Sequence, residues 1–268
     1  MHAGARYQEI VLPRLRRLLK VQAFLLLERG HCGMVLRLLA TAHASPGGIP
    51  MQQYVLALLA ILLCCSSVVA QYRSEYRVFK VRVDTTEAGT YTQTITTYGE
   101  GTTDFVGRSD VKFKVLGFTY QQAFRGNERW KEGRLIHLAS ASNDNGTPHT
   151  LLANAVGDQL KVQEGGKERL IRGDVWSSSY WTLPLPEQRN GPIALLDADL
   201  GQEHQIKLQN MGKVVQIVNG MRVTCTHYRV TGTVQADLWF DENERLVRRE
   251  MERRGRKVTM MLVSTDIK

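Results

Sequence analysis

Residues 213–230 read KVVQIVNGMRVTCTHYRV, and the reading of this stretch decides the fold. Two runs rich in β-branched residues flank Asn219-Gly220, a pair that tolerates the positive φ values of a two-residue type I′ turn. Such a turn fixes the register. Val218 then faces Met221, Gln216 faces Val223 and Val214 faces Cys225, while Ile217 opposes Arg222 and Val215 opposes Thr224 on the other side. The stretch predicts an antiparallel hairpin with Cys225 on its more apolar face, as a packed and unreactive thiol.

The same period of two runs through most of the chain after residue 75. YRVFKVRV (76–83) sets Arg77, Phe79, Val81 and Val83 against a wetter face of Tyr76, Val78, Lys80 and Arg82. TYTQTITTY (90–98) is rich in Thr and Tyr, and VKFKVLGF (111–118) alternates until Leu116-Gly117, where the phase shifts and a bulge is expected. Further hairpins are expected at Gly165-Gly166 and near Glu242-Asn243, and KVTMMLVS (257–264) supplies a last strand. Only residues 173–202 resist this pattern. They hold three of the seven prolines and two of the four tryptophans, and they read as a long covering loop with a short helix at Pro192–Asp197. The expected architecture is a mainly β, single antiparallel curved meander or half-barrel carrying that loop, preceded by an N-terminal signal helix.

That signal helix is expected in residues 51–70, MQQYVLALLAILLCCSSVVA, which contain no charge and end in Val68-Val69-Ala70, a small-residue pattern permitting cleavage before Gln71. Its apolar core has the length of a signal h-region rather than of a spanning helix. The expected location is therefore exported and periplasmic; the alternative is a domain anchored to the membrane by residues 51–70. Residues 1–50 form an upstream extension, read as translated sequence ahead of a start at Met51, with Met34 the second choice of start; the alternatives are a mitochondrial-type targeting sequence and a basic amphipathic helix at a membrane surface. Residues 71–268 form the exported all-β domain.

Charge follows this division. The chain carries a formal +9, and residues 1–70, with seven Lys/Arg and two Asp/Glu, account for +5 of it, leaving +4 for residues 71–268. The basicity is therefore no nucleic-acid footprint. The cluster Arg253-Arg254-Gly255-Arg256-Lys257 sits where a hairpin tip belongs, with Glu250 and Glu252 beside it. Of the four cysteines only Cys225 lies after residue 70, so no disulfide is expected within the domain.

Motifs for metalloprotease, serine hydrolase, dithiol or phosphate-loop chemistry are absent from the sequence. His137, His149, His204 and His227 are scattered without metal-ligand spacing, and Asn143-Asp144-Asn145-Gly146 reads as an Asx turn. No metal, cofactor or catalytic residue is expected. Aromatic placement is the remaining signal. Trp130, Tyr180, Trp181 and Trp239, with Trp176, form either packing beneath the long loop or the wall of an apolar cavity capped by residues 174–200. Trp130, Tyr180, Trp181 and Trp239 are the candidate ligand-binding residues. The expected function is non-enzymatic binding or carriage of a hydrophobic, lipid-like small molecule. The alternative is an envelope structural module whose partner is another envelope protein. Membrane contact is expected only through the signal segment.

ERWKEGRLIHLASASNDNG (128–146), SYW (179–181), HYRVTG (227–232) and DLWFDENERLV (237–247) together resemble an uncharacterised family of exported bacterial proteins, domain-of-unknown-function family 6134. The resemblance covers about residues 75–265. It implies a signal-bearing all-β protein without assigned activity. The positions carrying it include Glu128, Trp130, Gly133, Leu135, Tyr180, Trp181, Tyr228, Gly232, Trp239 and Asp241. Thr182 stands where the family usually has Asn, and Phe240 where it usually has Tyr.

Overall fold

The computed structural model describes residues 72–115 and 118–268. The expected upstream extension, the signal segment 51–70 and the bulge at Gly117 lie outside the described residues. Among the described residues, no helix is long and apolar enough to cross a membrane.

Fifteen strands build one open curved sheet. In chain order they are β1 (Tyr72–Val83), β2 (Thr86–Tyr98), β3 (Thr102–Val115), β4 (Phe118–Lys131), β5 (Arg134–Asp144), β6 (Thr147–Val156), β7 (Gln159–Glu164) and β8 (Lys167–Arg172). The second half holds β9 (Trp176–Ser177), β10 (Pro192–Leu196), β11 (Glu203–Val218), β12 (Met221–Gly232), β13 (Ala236–Asp241), β14 (Leu246–Arg253) and β15 (Arg256–Ile267). The spatial order is β8-β7-β6-β5-β4-β3-β2-β1-β15-β14-β13-β12-β11-β10-β9. Nearly every neighbour is thus a sequence neighbour joined by a short turn. The exception is β1, which pairs with β15 in the middle of the sheet. All pairs are antiparallel save β9 with β10.

Local chemistry explains the hairpins. Val218 pairs with Met221 and Val214 with Cys225 in the register the Asn-Gly turn dictates, and Asn219 and Gly220 have φ of 48° and 79°. A Cβ added at Gly220 would meet nothing within 4 Å, so its need for glycine is conformational alone. Gly220→Ala is accordingly expected to cost about 1 kcal/mol in urea unfolding, the backbone penalty without a clash. An Asn143 side chain accepts the Gly146 N–H at 2.7 Å, the Asx turn expected there. Val115 and Phe118, flanking the undescribed pair, are cross-strand partners of β3 and β4.

The alternation places Phe79, Val81, Val83, Tyr91, Ile95 and Phe105 on one inner face, with Leu238, Phe240, Leu246 and Met260 from the other half. Leu135, Leu138, Leu160, Val162 and Ile171 form a second cluster on β5–β8. The expected helix at Pro192–Asp197 is not formed: Pro192–Leu196 is strand β10. Its IALL run is buried on both sides, with Ile193 and Leu195 in the first cluster and Ala194 and Leu196 in the second. A short apolar run of this kind suits a strand buried on both faces, and its ladder to β11 satisfies the backbone that a first-turn proline left ambiguous. Among the described residues the one helical turn is the 3-10 turn Pro186–Gln188.

Candidate functional site

A cavity of about 670 Å³ opens between the inner face of β1–β4, the β14–β15 hairpin, and the segments 178–180 and 195–204. Sheet alternation supplies its apolar wall. Val81 and Val83 come from β1, Val111 from β3, Met251 from β14, and Val258 and Met260 from β15.

The β14–β15 ladder orders the charges. Arg249 pairs with Met260, Met251 with Val258, and Arg253 with Arg256, and all six line the cavity. One wall therefore runs from a cation, through an apolar layer, to two more cations at the hairpin tip. Four residues of strand separate Arg249 from Arg253, about 13 Å at the usual rise. The outer cations are paired: Arg253 lies 3.4 Å from Asp199, Arg254 2.9 Å from Asp144, and Arg256 2.8 Å from Asp84. The Arg256 side chain and the Lys257 backbone N–H hold the Asp84 carboxyl below the usual carboxylate range.

Arg249 differs. Its Nη1 donates to the Ser178 carbonyl at 3.4 Å, its guanidinium lies 5.7 Å from the Tyr180 ring centroid, and its Nε has no partner. The accessible surface it keeps belongs to the cavity lining, and burial pulls it below the usual guanidinium range. Tyr91 and Tyr180 stand beside it. Burial pushes both phenols up to about 12, so they remain protonated donors.

Tyr180 reaches this position through an unusual backbone. Its φ is 50°, sparsely populated for a bulky residue and worth about 1–3 kcal/mol of strain. Surrounding contacts hold it there: its N–H donates to the Ser177 carbonyl at 3.2 Å, and its ring meets Trp176 edge-on at 4.8 Å. Below it lies a buried polar knot. The Glu128 carboxyl, 3% exposed, accepts from the Ser177 hydroxyl at 2.6 Å and from Trp130 Nε1 at 2.8 Å. Desolvation raises Glu128 above the usual carboxylate range, although the Ser177 and Trp130 donors oppose it. The Trp181 carbonyl accepts from Arg77 at 2.7 Å, and Arg77 is paired with Glu75 at 2.8 Å. Segment 176–182 is thus tied to the sheet on both sides of Tyr180.

Of the four candidate ligand residues, Tyr180 lines the cavity. Trp130 and Trp181 meet edge-on at 6.0 Å around the Glu128 knot and are not part of the lining. Trp239 is on the opposite face of β13 from Leu238 and Phe240, stacked on His227 at 4.6 Å with the Arg248 guanidinium 4.9 Å from its ring centroid. The structure does not bring the four together. Sequence reasoning missed Arg249. It shares one face of β14 with Met251 and Arg253, but that phase alone does not say which face of the strand turns inward. Burial pushes the Cys225 thiol up to about 11, keeping it in the unreactive form. Among the described residues no group of three His, Cys, Asp or Glu could hold a metal ion.

A family described as domain of unknown function (DUF6134) matches residues 79–263. No curated protein matches. Among solved structures, the chain is similar to a beta-barrel-like protein of domain of unknown function DUF1849 from Brucella abortus. The TM-score is 0.53 at 9% identity, over 75% of this chain and 98% of that one, a likeness of fold. LprF from Mycobacterium bovis aligns with a TM-score of 0.26 at 13% identity, over 71% of this chain and 85% of that one, too slight to bear on the fold.

Proposed function

The chain belongs to the DUF6134 family, whose description assigns no activity, and we propose from the cavity itself that the protein binds or carries a hydrophobic small molecule. One observation carries this reading: an apolar cavity of about 670 Å³ lined by Val81, Val83, Val111, Val258 and Met260, within the ~300–1,000 Å³ usual for small-molecule sites. Fifteen strands could have filled this interior with side chains, as β10 fills the region between the two clusters, yet here they stop short. In this reading residues 174–200 cap the ligand and hold Tyr180 against it. The reading is non-enzymatic and places the protein outside the cytoplasm, the latter on the strength of segment 51–70 alone.

The test is organic extraction of protein purified from its native source, with mass spectrometry of the extract, beside a Met251→Trp variant, whose half-exposed side chain fills the space. The native protein is expected to release a stoichiometric apolar compound, and the variant at least tenfold less at unchanged thermal stability. A native protein that extracts empty and binds no apolar probe would end the proposal. A second reading, docking of an envelope protein, is favoured by the β11–β12 hairpin, where Val215, Ile217 and Met221 are exposed at 47%, 55% and 65%.

A further inference from the structure

We propose that the occupant of the cavity is a single-chain amphiphile ending in a carboxylate, seated with its charge inward on Arg249 and its chain lying along the apolar layer toward the hairpin tip. This deepens the carrier reading and rests on it.

The argument starts from the unmatched cation. A guanidinium stays charged in any protein environment, and a buried charge left without a counterion is costly. Proteins retain one where a ligand completes it. Among the described residues no carboxylate pairs with Arg249, in contrast to Arg253, Arg254 and Arg256 a few residues on. Asp197 also lines the cavity and its charge acts on Arg249 from a distance, but it makes no ion pair with it: its Oδ1 accepts the N–H groups of Asp199 and Leu200 at 2.8 and 3.1 Å and is held in its own turn. Among the described residues Arg249 donates only from Nη1 and its Nε is closed off from the cavity, so the rest of the guanidinium is what a ligand meets, with the protonated Tyr91 and Tyr180 phenols beside it.

Charge number selects carboxylate over phosphate monoester. One guanidinium neutralises one negative charge, whereas a phosphate monoester carries about −1.5 to −2 and would leave an excess in the protein interior. The planar fork of Arg also matches the two oxygens of a carboxylate. Orientation follows from the ladder. Met260 stands opposite Arg249, and Met251 and Val258 form the apolar layer between Arg249 and the tip, so a chain leaving Arg249 outward meets hydrophobic surface before it reaches the paired arginines.

The probe is cis-parinaric acid, whose fluorescence rises on burial, with its methyl ester as the uncharged counterpart. Wild-type protein is expected to bind the acid at least tenfold more tightly than the ester. Arg249→Met should lose at least tenfold toward the acid and leave the ester unchanged, abolishing the preference. It should also melt at a higher temperature when empty, because an unpaired, half-buried charge is gone. Arg249→Lys keeps the charge without the fork and should retain part of the preference, which guards against a folding artefact in the Met variant. Equal binding of acid and ester by the wild type, or a preference that survives Arg249→Met, overturns the inference while leaving the carrier reading standing. Binding of neither probe overturns both.

Discussion

Glu128→Ala is expected to destabilise the protein by roughly 3–5 kcal/mol at pH 4.5, measured by urea unfolding. The substitution strands two buried donors, Trp130 Nε1 and the Ser177 hydroxyl, at about 1–3 kcal/mol each, and leaves a cavity besides. The pH dependence identifies the cause. Desolvation raises the folded carboxyl above its unfolded value near 4.3, so the folded state holds a proton that the unfolded state has released. The contribution of Glu128 to stability is therefore fully present below that unfolded value and is lost as pH rises through the folded one. The cost of Glu128→Ala should shrink toward pH 8. Glu128→Gln keeps a side chain that can accept from Trp130 and donate to Ser177, and it should flatten the fall in stability above pH 4.5. Wild type and Glu128→Gln with parallel stability profiles from pH 4 to 8 would refute the assignment. Because Ser177 directly precedes Ser178–Tyr180 and its carbonyl accepts the Tyr180 N–H, the Ala variant should also weaken any ligand that rests on Tyr180.

A comparable loss is expected at Gly89. This residue sits in β2 between Val81 and Val111, both in the cavity wall, where the β1–β2 register shifts beside Val81. A Cβ here would lie 2.1 Å from the Asp110 carbonyl oxygen and 3.0 Å from the Val111 Cα, at a φ of 153°. Both obstacles are backbone, so no side chain can swing aside. Strands β2 and β3 must separate, or β2 must turn, and overpacking plus backbone strain come to roughly 2–6 kcal/mol. Gly89→Ala should lower the urea midpoint accordingly and release bound apolar probe as the wall opens. Gly220 is the comparison: also at positive φ but in open space, it should lose only the conformational part. Gly89→Ala within 1 kcal/mol of wild type would mean that the close approach of these strands is not fixed.

The hairpins were legible because each is specified by a few adjacent residues. Asn219-Gly220 and Gly165-Gly166 name their turns, and from a turn the period of two carries the register outward. Family membership was legible from the segments around Glu128, Tyr180 and Trp239, and the match over residues 79–263 bears it out. Strand β10 was not legible, since Pro-Ile-Ala-Leu-Leu fits a first helical turn as well as a doubly buried strand, and only β11 and the two clusters decide. The cavity cation was hidden for a related reason. In Arg248-Arg249-Glu250 the neighbours look alike, and Leu246 and Val247 are both buried, so local alternation does not reveal which arginine turns inward. The β13–β14 register shifts at Trp239/Phe240, and there Arg248 lies against the buried Trp239 ring while Arg249 lines the cavity. Aromatic residues, in contrast, were conspicuous in sequence but serve mostly to fasten segment 176–182.

The pairing of β1 with β15 gives the molecule a particular history each time it folds. During synthesis β1 acquires β2 on one side almost at once, but its other edge, from Glu75 to Val83, waits for residues 258–267 at the far end of the chain. The strand at the centre of the finished sheet is thus an open edge for nearly the whole of translation, and open edges invite pairing with other chains. Closing it requires the longest loop the domain contains, and pairings between distant parts of a chain form slowly. A chain that stops before Arg256 therefore lacks the middle of its sheet, with both halves left to find other partners.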